Sequence, residues 1–259
     1  MMATHADAIP HVPTPKFYFG LSLVFALVAF GGFTPSYVAP PAGQFPPIVH
    51  LHAVLFFAWT ILLIVQARLA QSSLQTHRAL GLAGISLATA MVFTALTVIV
   101  RGLGASVEAG TEVGTRALSI VPVFAIAAFA VFFSLAVANV RRPESHKRFV
   151  VLATVALLPA AMARVLFRLF APPDAALLGM AAPVADVSTM LNLIIVPALL
   201  ADALLIAAIV YDWRTRGRPH RVYVIGGLCL VGSQLLRPVI AQTAAWQAVT
   251  STLLAFGGQ

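Results

Sequence analysis

The sequence predicts an all-α protein, a polytopic membrane helix bundle with seven transmembrane helices. Three observations carry this. Of the 259 residues, 60% are apolar and only 9% charged, against roughly 25% charged in a soluble domain. The charges are spaced so that apolar stretches of about 20 residues recur between them, the length at which a helix crosses a hydrocarbon core of roughly 30 Å. The lone Cys229 leaves no disulfide framework and no cysteine-based zinc or iron–sulfur site.

Taken in order, residues 1–16 carry His5, Asp7, His11 and three prolines. They lack the charged, apolar, small-residue order of a cleaved signal peptide and read as a short cytoplasmic tail. A single transmembrane domain follows over 17–246, with spans expected at 17–38, 47–69, 80–100, 117–140, 149–170, 187–211 and 222–246. Residues 171–186 mix Pro172, Pro173 and Pro183 with apolar residues; too short to span, they are expected in the interface. Asp186 begins the sixth span, and Pro197 is expected to kink it and free a carbonyl. Residues 247–259 read as a short periplasmic tail.

Orientation follows from the Lys and Arg residues near the span ends. With seven spans the N-terminus shares a side with the second, fourth and sixth connections. That side holds eleven: Lys16, Arg68, Arg78, Arg141, Arg142, Lys147, Arg148, Arg214, Arg216, Arg218 and Arg221; the other holds four, Arg101, Arg116, Arg164 and Arg168. The expected arrangement is an N-terminus in the cytoplasm and a C-terminus in the periplasm. Scattered over short loops, these cations fit orientation and anionic lipid headgroups and argue against nucleic acid as a partner. Membrane lipids are the expected partners, with an oligomer or a larger membrane complex left open.

The three cytoplasmic connections resemble one another: Gln75-Thr76-His77-Arg78, Glu144-Ser145-His146-Lys147-Arg148 and Arg218-Pro219-His220-Arg221. In each, a His followed by a basic residue opens the next span, as if one extra helix preceded three hairpins. Brought together, His77, His146 and His220 would form a three-imidazole metal site. The competing reading has each imidazole bonded to headgroups or loop carbonyls, because the adjacent cations oppose binding of another.

Polar residues at membrane depth mark a second region. His52, Trp59 and Gln66 are seven apart and fall on one stripe of the second span, whereas His50 lies roughly 200° from His52. Arg164 and Arg237 each follow a cytoplasmic basic residue by 16 positions, which places them ~24 Å across. His52, Arg164, Asp186 and Arg237, with Met190 one turn inside Asp186 and Gln234 and Asn192 near in depth, are therefore expected to converge around an outer cavity. Ionisable groups at depth mark ligand or cofactor sites by default. Asp202 is assigned to the inner side, some two turns from Arg214.

The string His50-Leu-His52-Ala with Trp59, Gln66, His77-Arg78-Ala-Leu-Gly81, His146-Lys147-Arg148 and Gly217-Arg218-Pro-His220 resembles a family of uncharacterised bacterial multipass inner-membrane proteins. The resemblance runs over most of the chain and implies the bacterial inner membrane, without an established chemistry. More loosely, His residues near both bundle ends are similar to those of cytochrome b561-like diheme proteins. The chain departs from that diheme pattern, having no third His on the outer side: a heme b there would need His52 with Met190 or Met162, or a five-coordinate iron, with Arg164 and Arg237 suited to the propionates. His50 and His52 lie roughly 40 Å along straight helix from His77, so one heme fits better than two.

Three functional expectations result. One is a heme- or metal-binding protein with a redox or sensing role, using His52 and the inner His77, His146 and His220. Another is a transporter or carrier of a small anionic or lipid-like solute, using Arg164, Arg237 and Asp186; an accessory subunit without its own site is a third. No Ser-His-Asp arrangement or His-Glu-x-x-His motif supports a hydrolase. A retinal Schiff base is excluded, because the only lysines, Lys16 and Lys147, sit at helix ends.

Overall fold

The structure, a computed structural model, describes residues 16–38, 45–170 and 187–257, with the side chains of 187–193 left out. Asp186 and the stretch expected in the interface therefore lie outside the described residues, as do the side chains of Met190 and Asn192.

Among the described residues all regular structure is helical: α1 (Lys16–Val38), α2 (Pro47–Ser72), α3 (Leu74–Glu108), α4 (Glu112–Leu118), α5 (Ile120–Ala138), α6 (Pro143–Phe170), α7 (Val187–Arg216), α8 (Arg221–Ala241) and α9 (Ala244–Gly257). Seven spans are long and apolar enough to cross a membrane, α4 and α5 together forming one of them. The chain is thus an all-α, multi-pass integral membrane protein. Several helix starts follow from local chemistry. Pro47 occupies the first turn of α2, where its missing N–H costs nothing. Ser73 caps α3 by accepting from the Thr76 N–H at 3.4 Å, and Glu144 lies in the first turn of α6, where the helix dipole favours a carboxylate.

The bundle is organised around α6, which packs against α1, α5, α7 and α8. Residues Val151 to Ala156 are all buried, so this helix is covered all round rather than on one stripe. Small residues let its neighbours approach closely. A methyl group on Gly32 would lie 2.9 Å from the Cα of Ala161, and one on Gly226 would lie 3.4 Å from the Phe132 ring. Large apolar side chains such as Leu27, Leu82, Phe93, Ile225 and Leu228 point outward, as suits surfaces that face lipid tails.

Apart from extensions at other span ends, such as the fifth span starting at Pro143 rather than 149 and the sixth running to Arg216 rather than 211, three spans differ from the sequence expectation. The third span starts at Leu74 and runs to Glu108, because the Ser73 cap lets the polar Gln75 to Arg78 join the helix. The fourth is broken at Ser119 between α4 and α5. The seventh ends at Ala241 rather than 246, and residues 247–257 of the expected tail belong to α9. That helix is too short to span; it packs on α3 and buries Trp246, whose indole N–H donates to the Arg116 carbonyl at 2.8 Å. Apolar residues on both sides hid the turn at Gln242 and Thr243.

Candidate functional site

The stripe on α2 faces the bundle. Trp59 is buried, with Phe129 and Phe133 edge-on at 5.0 and 5.2 Å, and its indole N–H donates to Thr154 Oγ1 at 3.4 Å. His52 and Gln66 are half-buried and His50 is exposed, where it bonds the Tyr37 hydroxyl. His52 packs on Phe56 at 4.1 Å, with Nδ1 buried and unbonded among the described residues. Arg164 is the charged group whose field reaches it. The Arg164 guanidinium donates to the Ala160 carbonyl at 2.9 Å and lies over the Phe33 ring at 4.5 Å.

Arg237 has different company. Its side chain on α8 is 1% exposed and lies over the Phe124 ring of α5 at 5.8 Å. Asp202 on α7, 4% exposed, accepts from Gln234 Nε2 at 3.3 Å; Gln234 is 3% exposed. Asp202 and Arg237 feel each other's charge, yet no salt bridge within 4.0 Å joins them among the described residues. Among the described residues, all three guanidinium nitrogens of Arg237, Oδ2 of Asp202 and Oε1 of Gln234 are buried without a hydrogen-bond partner. Most buried polar groups in folded proteins are bonded. Five orphaned atoms on three neighbouring side chains therefore mark this cluster.

The placement corrects one reading. Asp202 precedes Arg214 by twelve residues, which is ~18 Å or more than three turns, so it is not an inner-side group. It stands at the level of Gln234, more than halfway from the Arg-rich end. Of the four residues expected to converge, the structure brings Arg164 to His52, gives Arg237 to Asp202 and Gln234, and leaves Asp186 undescribed. Beside the cluster an apolar groove of about 480 Å³ runs between α5 and α8, with Arg221 at one end and Phe124 and Ser233 among its lining.

At the Arg-rich end the three histidines each use Nδ1 on backbone. His77 Nδ1 lies 3.2 Å from the Gln66 carbonyl and His146 Nδ1 lies 2.9 Å from the Ala136 carbonyl; a carbonyl only accepts, so each Nδ1 carries the proton. His220 caps α8, its Nδ1 accepting from the Val222 N–H at 3.2 Å. The His77 and His146 rings are 6.3 Å apart and nearly perpendicular. Among the described residues no three His, Cys, Asp or Glu side chains are placed to hold one metal ion, so the three-imidazole arrangement does not form there. Burial first, then Arg148 and Arg216, hold His220 below the ordinary histidine value.

Sequence reasoning missed the strongest polar contact at this end. Arg148 and Asp212 are both buried and pair at two points, Nε to Oδ2 at 2.7 Å and Nη2 to Oδ1. Glu144 accepts from Lys147 at 2.6 Å, from Arg148 at 2.8 Å and from Arg216, and the His220 N–H donates to Asp212 at 3.2 Å. This network ties α6, α7 and the start of α8. The available signal was that Glu144 and Asp212 are the carboxylates nearest this run of cations. Comparison with known proteins adds no relative, since no family matches the chain, no curated protein matches it and no solved structure matches it.

Proposed function

We propose that this membrane protein binds a small anionic solute within its bundle, as a transporter or carrier, with Arg237 as the anion-binding residue. The observation that supports this reading is the Arg237 guanidinium, buried at depth with every nitrogen unfilled. An ionised side chain in a low-dielectric interior is costly unless paired. A guanidinium offers a planar fork of N–H donors that matches carboxylate and phosphate oxygens. The test is flux into proteoliposomes of radiolabelled pyruvate and alanine, two small carboxylates chosen because they cross lipid slowly. Uptake of either by the wild type and its loss in Arg237→Gln support the reading; equal uptake by both proteins contradicts it.

A second reading, heme b or a metal held between His77 and His146, has one observation in its favour. Both Nδ1 atoms are fixed by backbone carbonyls, which leaves both Nε2 lone pairs for ligation in the manner of oriented metal-binding histidines. Heme would supply electron transfer there; the two imidazoles would hold it and fix its plane. Arg78 and Lys147 beside them oppose a bare divalent cation. An absorption spectrum with a Soret band, paired with metal analysis of the purified protein, decides this reading.

A further inference from the structure

We infer that the ligand of the Arg237 site carries a cationic or hydrogen-bond-donating group as well as its anionic one, and is a small amino-acid-like zwitterion. This rests on the reading of Arg237 as an anion site and adds the other half of the ligand. The orphaned atoms are of both kinds: three donors on Arg237, and two acceptors, Asp202 Oδ2 and Gln234 Oε1. Gln234 and Arg237 are three residues apart on α8, hence on one face with an axial offset of ~4.5 Å. Asp202 is held at the level of Gln234 by their hydrogen bond. Donors and acceptors thus form two adjacent halves of one buried cluster.

A simple anion would fill only the first half. It would leave both acceptors empty and add repulsion from the Asp202 carboxylate, whereas a simple cation would do the reverse at Arg237. A molecule with carboxylate and ammonium groups fills both, and each contact is strengthened by the apolar surroundings, of which Phe124 is one wall. The basic end shows that this fold can close an Arg–Asp pair when nothing stands between, since Arg148 and Asp212 meet at two points. Arg237 and Asp202 do not. The ~4.5 Å offset between Gln234 and Arg237 along α8 keeps the two charged groups of the ligand close together, so the ligand is small.

Matched acids test this: alanine against propionate, and 4-aminobutyrate against butyrate, titrated by calorimetry into the detergent-purified full chain. The wild type should bind one amino acid about tenfold or more tightly than its deaminated partner, the loss expected when charge-assisted hydrogen bonds are absent. Asp202→Asn should erase that preference while retaining the acid's affinity, and Arg237→Gln should abolish binding of both. Equal affinity within each pair overturns the zwitterion and leaves the anion site standing, whereas an amino-acid preference that survives Asp202→Asn overturns Asp202 as the residue that holds the cationic half. Absence of binding by all four compounds overturns both readings for ligands of this size. Should Asp202→Asn not fold, the comparison within each pair on the wild type still decides.

Discussion

Arg237 and Asp202 attract one another inside the bundle without closing a salt bridge, Asp202 being bonded instead to Gln234 at 3.3 Å. Arg148 and Asp212, the same residue types on α6 and α7, close theirs at two points. The first pair has unfilled valences and the second has none of its guanidinium nitrogens orphaned. We assign the first to ligand binding and the second to holding the helices together.

That division gives a stability prediction for the closed pair. Arg148→Ala leaves the buried Asp212 carboxylate uncompensated and should cost about 3–5 kcal/mol, and Asp212→Ala, which leaves Arg148 its bond to Glu144, should cost less. The double variant should cost much less than the sum, because removal of both leaves no lone charge. Melting curves of the three variants in one detergent check this; additive losses would contradict it.

The close approach of α1 and α6 predicts a difference between adjacent glycines. Gly32→Ala drives a methyl into the Ala161 backbone, whereas the corresponding position at Gly31 meets nothing within 4 Å. Gly32→Ala should lower stability by about 1–3 kcal/mol, and Gly31→Ala should leave it unchanged or raise it. Equal effects would remove the close contact from the account.

His220 lies between the last two spans, held below the usual 6.5 by burial and by Arg148 and Arg216, with Asp212 and Glu144 pulling the other way. As pH falls through 6.5 the unfolded chain takes up a proton that the folded chain resists. The contribution of the neutral ring is therefore present above that value and lost below it. Melting temperature should fall between about pH 7 and about pH 5.5, and fall less in His220→Asn, which keeps an acceptor for the Val222 N–H. An equal or steeper fall in the variant contradicts this.

Orientation is predicted from eleven Lys and Arg residues against four. Reporter fusions after Arg142 and after Gln259 are expected in the cytoplasm and the periplasm respectively. Both in one compartment would contradict an odd number of crossings.

The helical bundle was legible because a span is a one-dimensional signal: about 20 apolar residues between charges. The α2 stripe was legible for a similar reason, since a spacing of seven keeps His52, Trp59 and Gln66 on one face. Partners were not. Depth counting places Arg237 and His52 in one layer but carries no angular information about the bundle. Arg237 therefore came to Asp202 and Phe124, across α5, α7 and α8, and Arg164 came to His52. Asp212 looked like one acid among loop cations, and only the packing of α6 on α7 reveals its bond to Arg148. The turn before α9 was masked by apolar residues on both sides of it.

The most direct measurement of the central claim is the melting temperature of ligand-free Arg237→Gln/Asp202→Asn, a double variant that strands neither buried charge. A charge kept in the interior for a ligand destabilises the empty protein, whereas a structural charge supports it. The account predicts that the ligand-free variant melts at or above the wild-type temperature. A drop comparable to that of Arg148→Ala would contradict it and make Arg237 a structural partner of Asp202.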